Sequence, residues 1–84
     1  MPRYYFHIRS DDVEILDDEG SEFPDLDTAW REAIDGARGI LSQEVLRGSL
    51  PLHERIDIAD EAGGVLRTVP FNEVVEIGAS PEDE

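Results

Sequence analysis

The groups with which this chain could do chemistry are few in kind. His7 and His53 are its only histidines, its seven basic residues are all arginine, and its carboxylates number 21. Cysteine is absent, which excludes disulfides, thiolate metal sites and a cysteine nucleophile. The histidines lie far apart without a His-x-x-x-His spacing, so a zinc site would have to be completed by carboxylates. Asp11-Asp12 and Asp17-Asp18-Glu19 could attract a hard cation such as calcium, but the sequence around Gly20 lacks the alternating ligands of an EF-hand loop. Neighbouring carboxylates in a turn are ordinarily solvated. None of Ser10, Ser21, Ser42, Ser49 and Ser80 sits in a Gly-x-Ser-x-Gly elbow, and no Ser-His-Asp set follows from spacing. Gly63-Gly64 reads as a hairpin turn, not a phosphate cradle. A catalytic carboxylate needs a pocket that shifts its pKa, and a domain of this size rarely encloses one. The expectation is a protein with no cofactor, no metal and no enzymatic activity.

Charge narrows the partners. The formal net charge is −14, which repels phosphate backbones and anionic lipid headgroups. A nucleic-acid or membrane partner is therefore disfavoured, and a basic protein is electrostatically the easier one. No apolar run approaches the roughly 20 residues needed to cross a bilayer. The N-terminal Met-Pro-Arg-Tyr-Tyr-Phe lacks the apolar region of a signal peptide. Together with the missing cysteines, this leads to the expectation of a cytoplasmic protein.

The elements that must position these groups follow from periodicity. Residues 3–9 alternate as a strand, with Tyr4, Phe6 and Ile8 on one face and Tyr5, His7 and Arg9 on the other. Ser10-Asp11-Asp12 is a turn, and Val13-Glu14-Ile15-Leu16 returns so that Ile8 faces Ile15 and Arg9 faces Glu14. An acidic connection over 17–25 ends at Asp25, a natural helix N-cap after Phe23-Pro24. Apolar residues from Leu26 to Val45 recur at i, i+3, i+4 and i+7, which predicts a helix over 26–47 stopped at Gly48. Gly36 and Gly39 each cost about 1 kcal/mol relative to Ala there. They are either tolerated flaws or places where another backbone comes close. Residues 54–59 and 65–69 form a second hairpin about the turn 60–64. Pairing Ala59 with Val65 puts Ile58 opposite Leu66 and Asp57 opposite Arg67. Residues 71–77 fit either a short helical turn or a fifth strand.

The layout is ββαββ. It predicts an α+β two-layer sandwich, an antiparallel sheet with one long helix packed on one face. Residues 1–77 form the single domain and 78–84 an acidic flexible tail. The core is expected to hold Tyr4, Phe6, Ile8, Val13, Ile15, Ile56, Ile58 and Leu66 beneath Trp30, Ala33, Ala37, Ile40 and Leu41. The other face of the sheet stays open, carrying Tyr5, His7, Arg9, Leu16, Arg55, Val65, Arg67 and Val69. Arginines and one tyrosine on an open sheet could stack bases, but Glu14 and Asp57 lie among them and offset the charge. Mixed apolar residues, Tyr and Arg are also interface composition. The leading expectation is a non-catalytic interaction domain that forms a homodimer through this face or a strand edge. The alternative is an acidic inhibitor or antitoxin-like protein that masks a basic partner.

The opening Met1-Pro2-Arg3-Tyr4-Tyr5-Phe6-His7, the Asp18-Glu19-Gly20 step, Phe23-Pro24-Asp25-Leu26 and the stretch from Asp60-Glu61 to Pro70-Phe71 resemble a family of short bacterial proteins. That family is a domain of unknown function, with a Met-Pro-Arg-Tyr-[Tyr/Phe]-Phe-His start. The resemblance spans residues 1–77. It implies a stand-alone bacterial domain and brings no activity, cofactor or site residues. The Pro-Asp-Leu segment and Arg31-Glu32-Ala33 are more weakly similar to HicB-like antitoxins. The chain lacks their Gly-Asp-Thr motif and has two strands before the helix where they have three.

Overall fold

A computed structural model describes residues 1–75, so the expectations for residues 76–84 lie outside the described residues. The first strand, β1 (Arg3–Arg9), is built from the alternating aromatic and β-branched run at the N-terminus. It turns at Ser10, whose backbone N–H donates to the Val13 carbonyl at 2.8 Å, while its hydroxyl accepts from the Val13 amide at 3.1 Å. The chain returns as β2 (Glu14–Ile15) with Ile8 opposite Ile15 and Arg9 opposite Glu14, as the hydropathy pattern requires. A further short strand, β3 (Ser21–Glu22), pairs with the start of the same β1 edge, Arg3 opposite Glu22 and Tyr4 opposite Ser21.

Asp25 then caps the helix α1 (Leu26–Leu46), its carboxylate accepting from the Thr28 amide at 2.8 Å. Gly48, at φ 85°, provides the left-handed residue that ends it. The buried helix positions Ala29, Ala33, Ala37 and Leu41 recur every fourth residue, a line of mostly methyl side chains that lets the helix sit low on the sheet. Gly36 and Gly39 are exposed, and a methyl group built on either would meet nothing within 4 Å. They therefore mark no close approach of another segment.

The second hairpin joins β4 (Arg55–Ala59) to β5 (Val65–Pro70), followed by a 3-10 turn, Phe71–Glu73. All pairings are antiparallel, and the strands run in the order β2, β1, β4, β5, with β3 beside β2's side of β1. The result is an α+β fold, one antiparallel five-stranded sheet with one long helix against it.

The second hairpin departs from the sequence expectation. Ala59 does pair with Val65, but a β-bulge between Ile58 and Ala59 makes Leu66 an extra residue. Downstream of it, Ile58 pairs with Arg67, Asp57 with Thr68 and Ile56 with Val69. Every side chain after the bulge is thereby moved to the opposite face from that expected. Val69 belongs to the core at 2% exposure, not to the open face. Arg67 lies on the helix side, its guanidinium 3.9 Å from the Trp30 ring centroid. The exchange replaces a hydroxyl with an isopropyl group in the core, which favours the bulged register. Leu66, expected in the core, is 44% exposed, and Ile15 is 57% exposed. Ala29, Ala59, Phe71 and Val74 are buried in addition to the expected set, and Phe23 stacks on Phe6 with centroids 5.8 Å apart.

Candidate functional site

On the open face the strands align side chains in three rungs: Tyr5–Ala59–Val65, His7–Asp57–Thr68 and Arg9–Arg55–Pro70. The centre is Asp57, at 4% exposure the one buried charged residue among those described. Its carboxylate accepts from the Thr68 hydroxyl at 2.8 Å, from Arg9 at 3.0 Å and from Arg55 at 3.3 Å. Arg9 also bonds Glu14 at 3.0 Å. Burial pushes the Asp57 carboxyl up, but the Thr68 hydroxyl and the two guanidinium groups outweigh it and hold the carboxyl below the usual Asp range. Its bonds to Asp57 and then to Glu14 raise the Arg9 pKa in turn. A carboxylate held ionised and filled with donors is poorly placed to exchange protons with a substrate.

A second carboxylate, Asp17, works at the edge of β1. Its Oδ2 accepts from the Phe6 amide at 3.1 Å, and its Oδ1 from the amides of Gly20 at 3.0 Å and Glu19 at 3.2 Å. The Asp17 amide donates to Nδ1 of His7 at 3.0 Å, and the His7 ring stacks on Tyr5. Burial raises the Asp17 carboxyl, and the three backbone donors outweigh it and leave it lowered. Gly20 is required here: at φ 70° a methyl group would lie 2.8 Å from the Tyr5 ring and 3.0 Å from the Tyr4 carbonyl oxygen. The acidic connection thus supplies ligands to its own backbone. Among the described residues no group of three or more His, Asp or Glu side chains is arranged to hold a metal ion.

The open face therefore brings together Tyr5, His7, Arg9, Arg55 and Val65 of the eight residues singled out from the sequence. Leu16 is exposed just beyond β2, and Arg67 and Val69 lie across the sheet. Sequence reasoning gave Asp57 and Thr68 no shared role, because the unbulged register put Arg67 beside Asp57.

A different surface lies on the helix side. A helix is about 10–12 Å wide and strands are spaced about 4.8 Å apart, so one helix covers two or three strands. Here α1 packs over β4, β5 and the 3-10 turn. The β2 side of the sheet is covered less, with α1 reaching it through Ile40 and Glu44. A groove of about 490 Å³ lies between α1 and the first hairpin, lined by Ile8, Val13, Ile15, Ile40 and Pro51 together with Glu44, Ser49, His53 and Glu54. Val45 and Leu50 are exposed, at 54% and 53%. No sequence pattern singled out this groove, since Ile8, Val13, Ile15 and Ile40 read as ordinary core positions.

No helix among the described residues is long and apolar enough to cross a membrane. No curated protein and no solved structure matches the chain. A family model described as "Domain of unknown function (DUF6894)" matches residues 3–72. The chain therefore belongs to the DUF6894 family.

Proposed function

We propose that this chain is a small non-catalytic protein-interaction domain whose working surface is the groove between α1 and the first hairpin. The observation that carries this reading is Ile15, 57% exposed at the edge of an apolar concavity. Half-buried Ile8, Val13 and Ile40 line the same concavity, and apolar surface gathered in a concavity is characteristic of a binding surface. The buried acid of the open face already has three side-chain partners, which supports a structural role for it. A bacterial, cytoplasmic setting goes with this reading: the resemblance to short bacterial proteins supports the first, and the absence of cysteine is compatible with the second.

The test is photo-crosslinking in the native host, with a benzophenone amino acid at Ile15 and, separately, at Thr68 of the full chain. A discrete adduct from Ile15 and none from Thr68 is expected. No discrete adduct from Ile15 would overturn the groove as the working surface.

Self-association through the open face is a second reading, favoured by the exposure of Val65 and Leu16, at 50% and 51%. It predicts a dimer in light scattering that Val65→Glu with Leu16→Glu dissociates. A strict monomer at high micromolar concentration excludes it.

A further inference from the structure

We infer that the groove accommodates an apolar segment flanked by Lys or Arg, supplied by a different protein and not by a second copy of this chain. The inference rests on the groove reading above and adds the chemistry of the occupant. The apolar lining is aliphatic, so the occupant must bring apolar side chains to displace water from Ile8, Ile15 and Ile40. The polar lining is Glu44, Ser49, His53 and Glu54, with two formal negative charges and no arginine. Glu44 shares its charge with Arg47 at 3.2 Å, while Glu54 has no ion-pair partner among the described residues. Arg9 and Arg55 belong to the open face and are committed to Asp57.

The field of the whole chain acts in the same direction. At −14, a second copy would bring a like charge against a like charge. The chain's own residues 76–84 are equally mismatched, since they carry Glu76, Glu82, Asp83 and Glu84. A cationic flank is the complement that both lining and field attract, and it would also speed encounter.

The probe is a fluorescent twelve-residue peptide of alternating leucine and lysine, set against a twin with glutamate at every lysine. Binding to the full chain is followed by anisotropy at low and high salt. The lysine peptide is expected to bind, less tightly as salt rises. Ile15→Ser should weaken it at least fivefold, as should Glu44→Gln combined with Glu54→Gln, each with an unchanged circular dichroism spectrum. Glu32→Gln with Glu61→Gln makes the same change of charge on exposed residues outside the groove lining and should leave affinity within twofold.

Equal weakening by that remote pair, or no effect of Ile15→Ser, would show diffuse attraction and overturn the inference. Equal binding of the acidic twin, or a dimer that Ile15→Ser dissociates, would overturn it and leave the groove reading standing. No binding by either peptide overturns it too, and crosslinking from Ile15 then judges the groove separately.

Discussion

On the open side of the sheet Asp57 engages Arg9, Arg55 and Thr68, and Arg9 reaches on to Glu14. On the helix side, in the groove beside α1, Ile15 is exposed and Ile8, Val13 and Ile40 are only half-buried. The first region spends its chemical potential within the fold, and the second keeps it. Charge on a small domain thus marks structure as readily as function, and the exposed aliphatic surface is where the proposed partner would bind. A buried carboxylate is costly unless its donors are supplied, so Asp57 had to be matched from inside the chain. An exposed isoleucine carries no such requirement.

That contrast can be broken by mutation. Asp57→Ala should cost the most, about 3 kcal/mol of unfolding free energy in urea, because it leaves two arginines and a hydroxyl without their shared acceptor. A loss below 1 kcal/mol would mean that the open face is held together otherwise. Gly20→Ala should cost about 2 kcal/mol, from strain at positive φ and the collision with Tyr5 and the Tyr4 carbonyl. The change would be read by the same urea titration. Acid sharpens the same point. Asp57 and Asp17 both have carboxyls held below the ordinary Asp value of 3.8, so folding is favoured by their ionised forms. Their contribution is complete at pH values above that ordinary value. It is lost progressively as the pH falls through the lowered folded-state values. Thermal melts between pH 7 and pH 2 should decline steeply at the acid end, and Asp57→Asn should flatten that decline.

The helix side should respond differently. Gly36→Ala and Gly39→Ala each place a methyl group in open space on the exposed face, and each should stabilise by about 0.5–1 kcal/mol. A loss instead of a gain in the melting temperature would indicate a neighbour on that face. The smallest effect is expected of Ile15→Ser, about 0.5 kcal/mol or less, since more than half of the side chain is in water already. A loss as large as that of Asp57→Ala would place Ile15 in the core and dissolve the contrast.

Much of this fold could be read from the chain alone because its signals are local. Ser10 in the first turn, Asp25 before the helix and Gly48 after it each act on the adjacent backbone, and the register of Ile8 with Ile15 needs only period-two alternation. The bulge at Leu66 is different in kind. Little in Val65-Leu66-Arg67-Thr68-Val69 announces it, and the unbroken register offers Asp57 the more obvious partner, Arg67. Its one trace is that unbroken alternation would bury Thr68 and expose Val69. That slip took Arg67 and Val69 off the open face and brought Thr68 to Asp57. Asp17 was hidden for a related reason. A run of acids looks interchangeable in sequence, and only the gap between β2 and β3 singles out the one that completes the β1 edge. The groove was hidden because it follows from the helix's width and placement, not from residue type.

The interruption between β2 and β3 has a consequence for assembly. An uninterrupted sheet margin is a template onto which another chain can add, and repeated addition leads to fibrils. Here the β1 margin is occupied by two strands of two residues each, and at Phe6 between them the backbone donor is already taken by the carboxylate of Asp17. A side chain stands where the next strand would have continued. The opposite margin bends at the Leu66 bulge and ends at Pro70, which has no amide hydrogen to offer. Both borders are thus poor seeds for runaway stacking, a safeguard built from one aspartate, one extra residue and one proline.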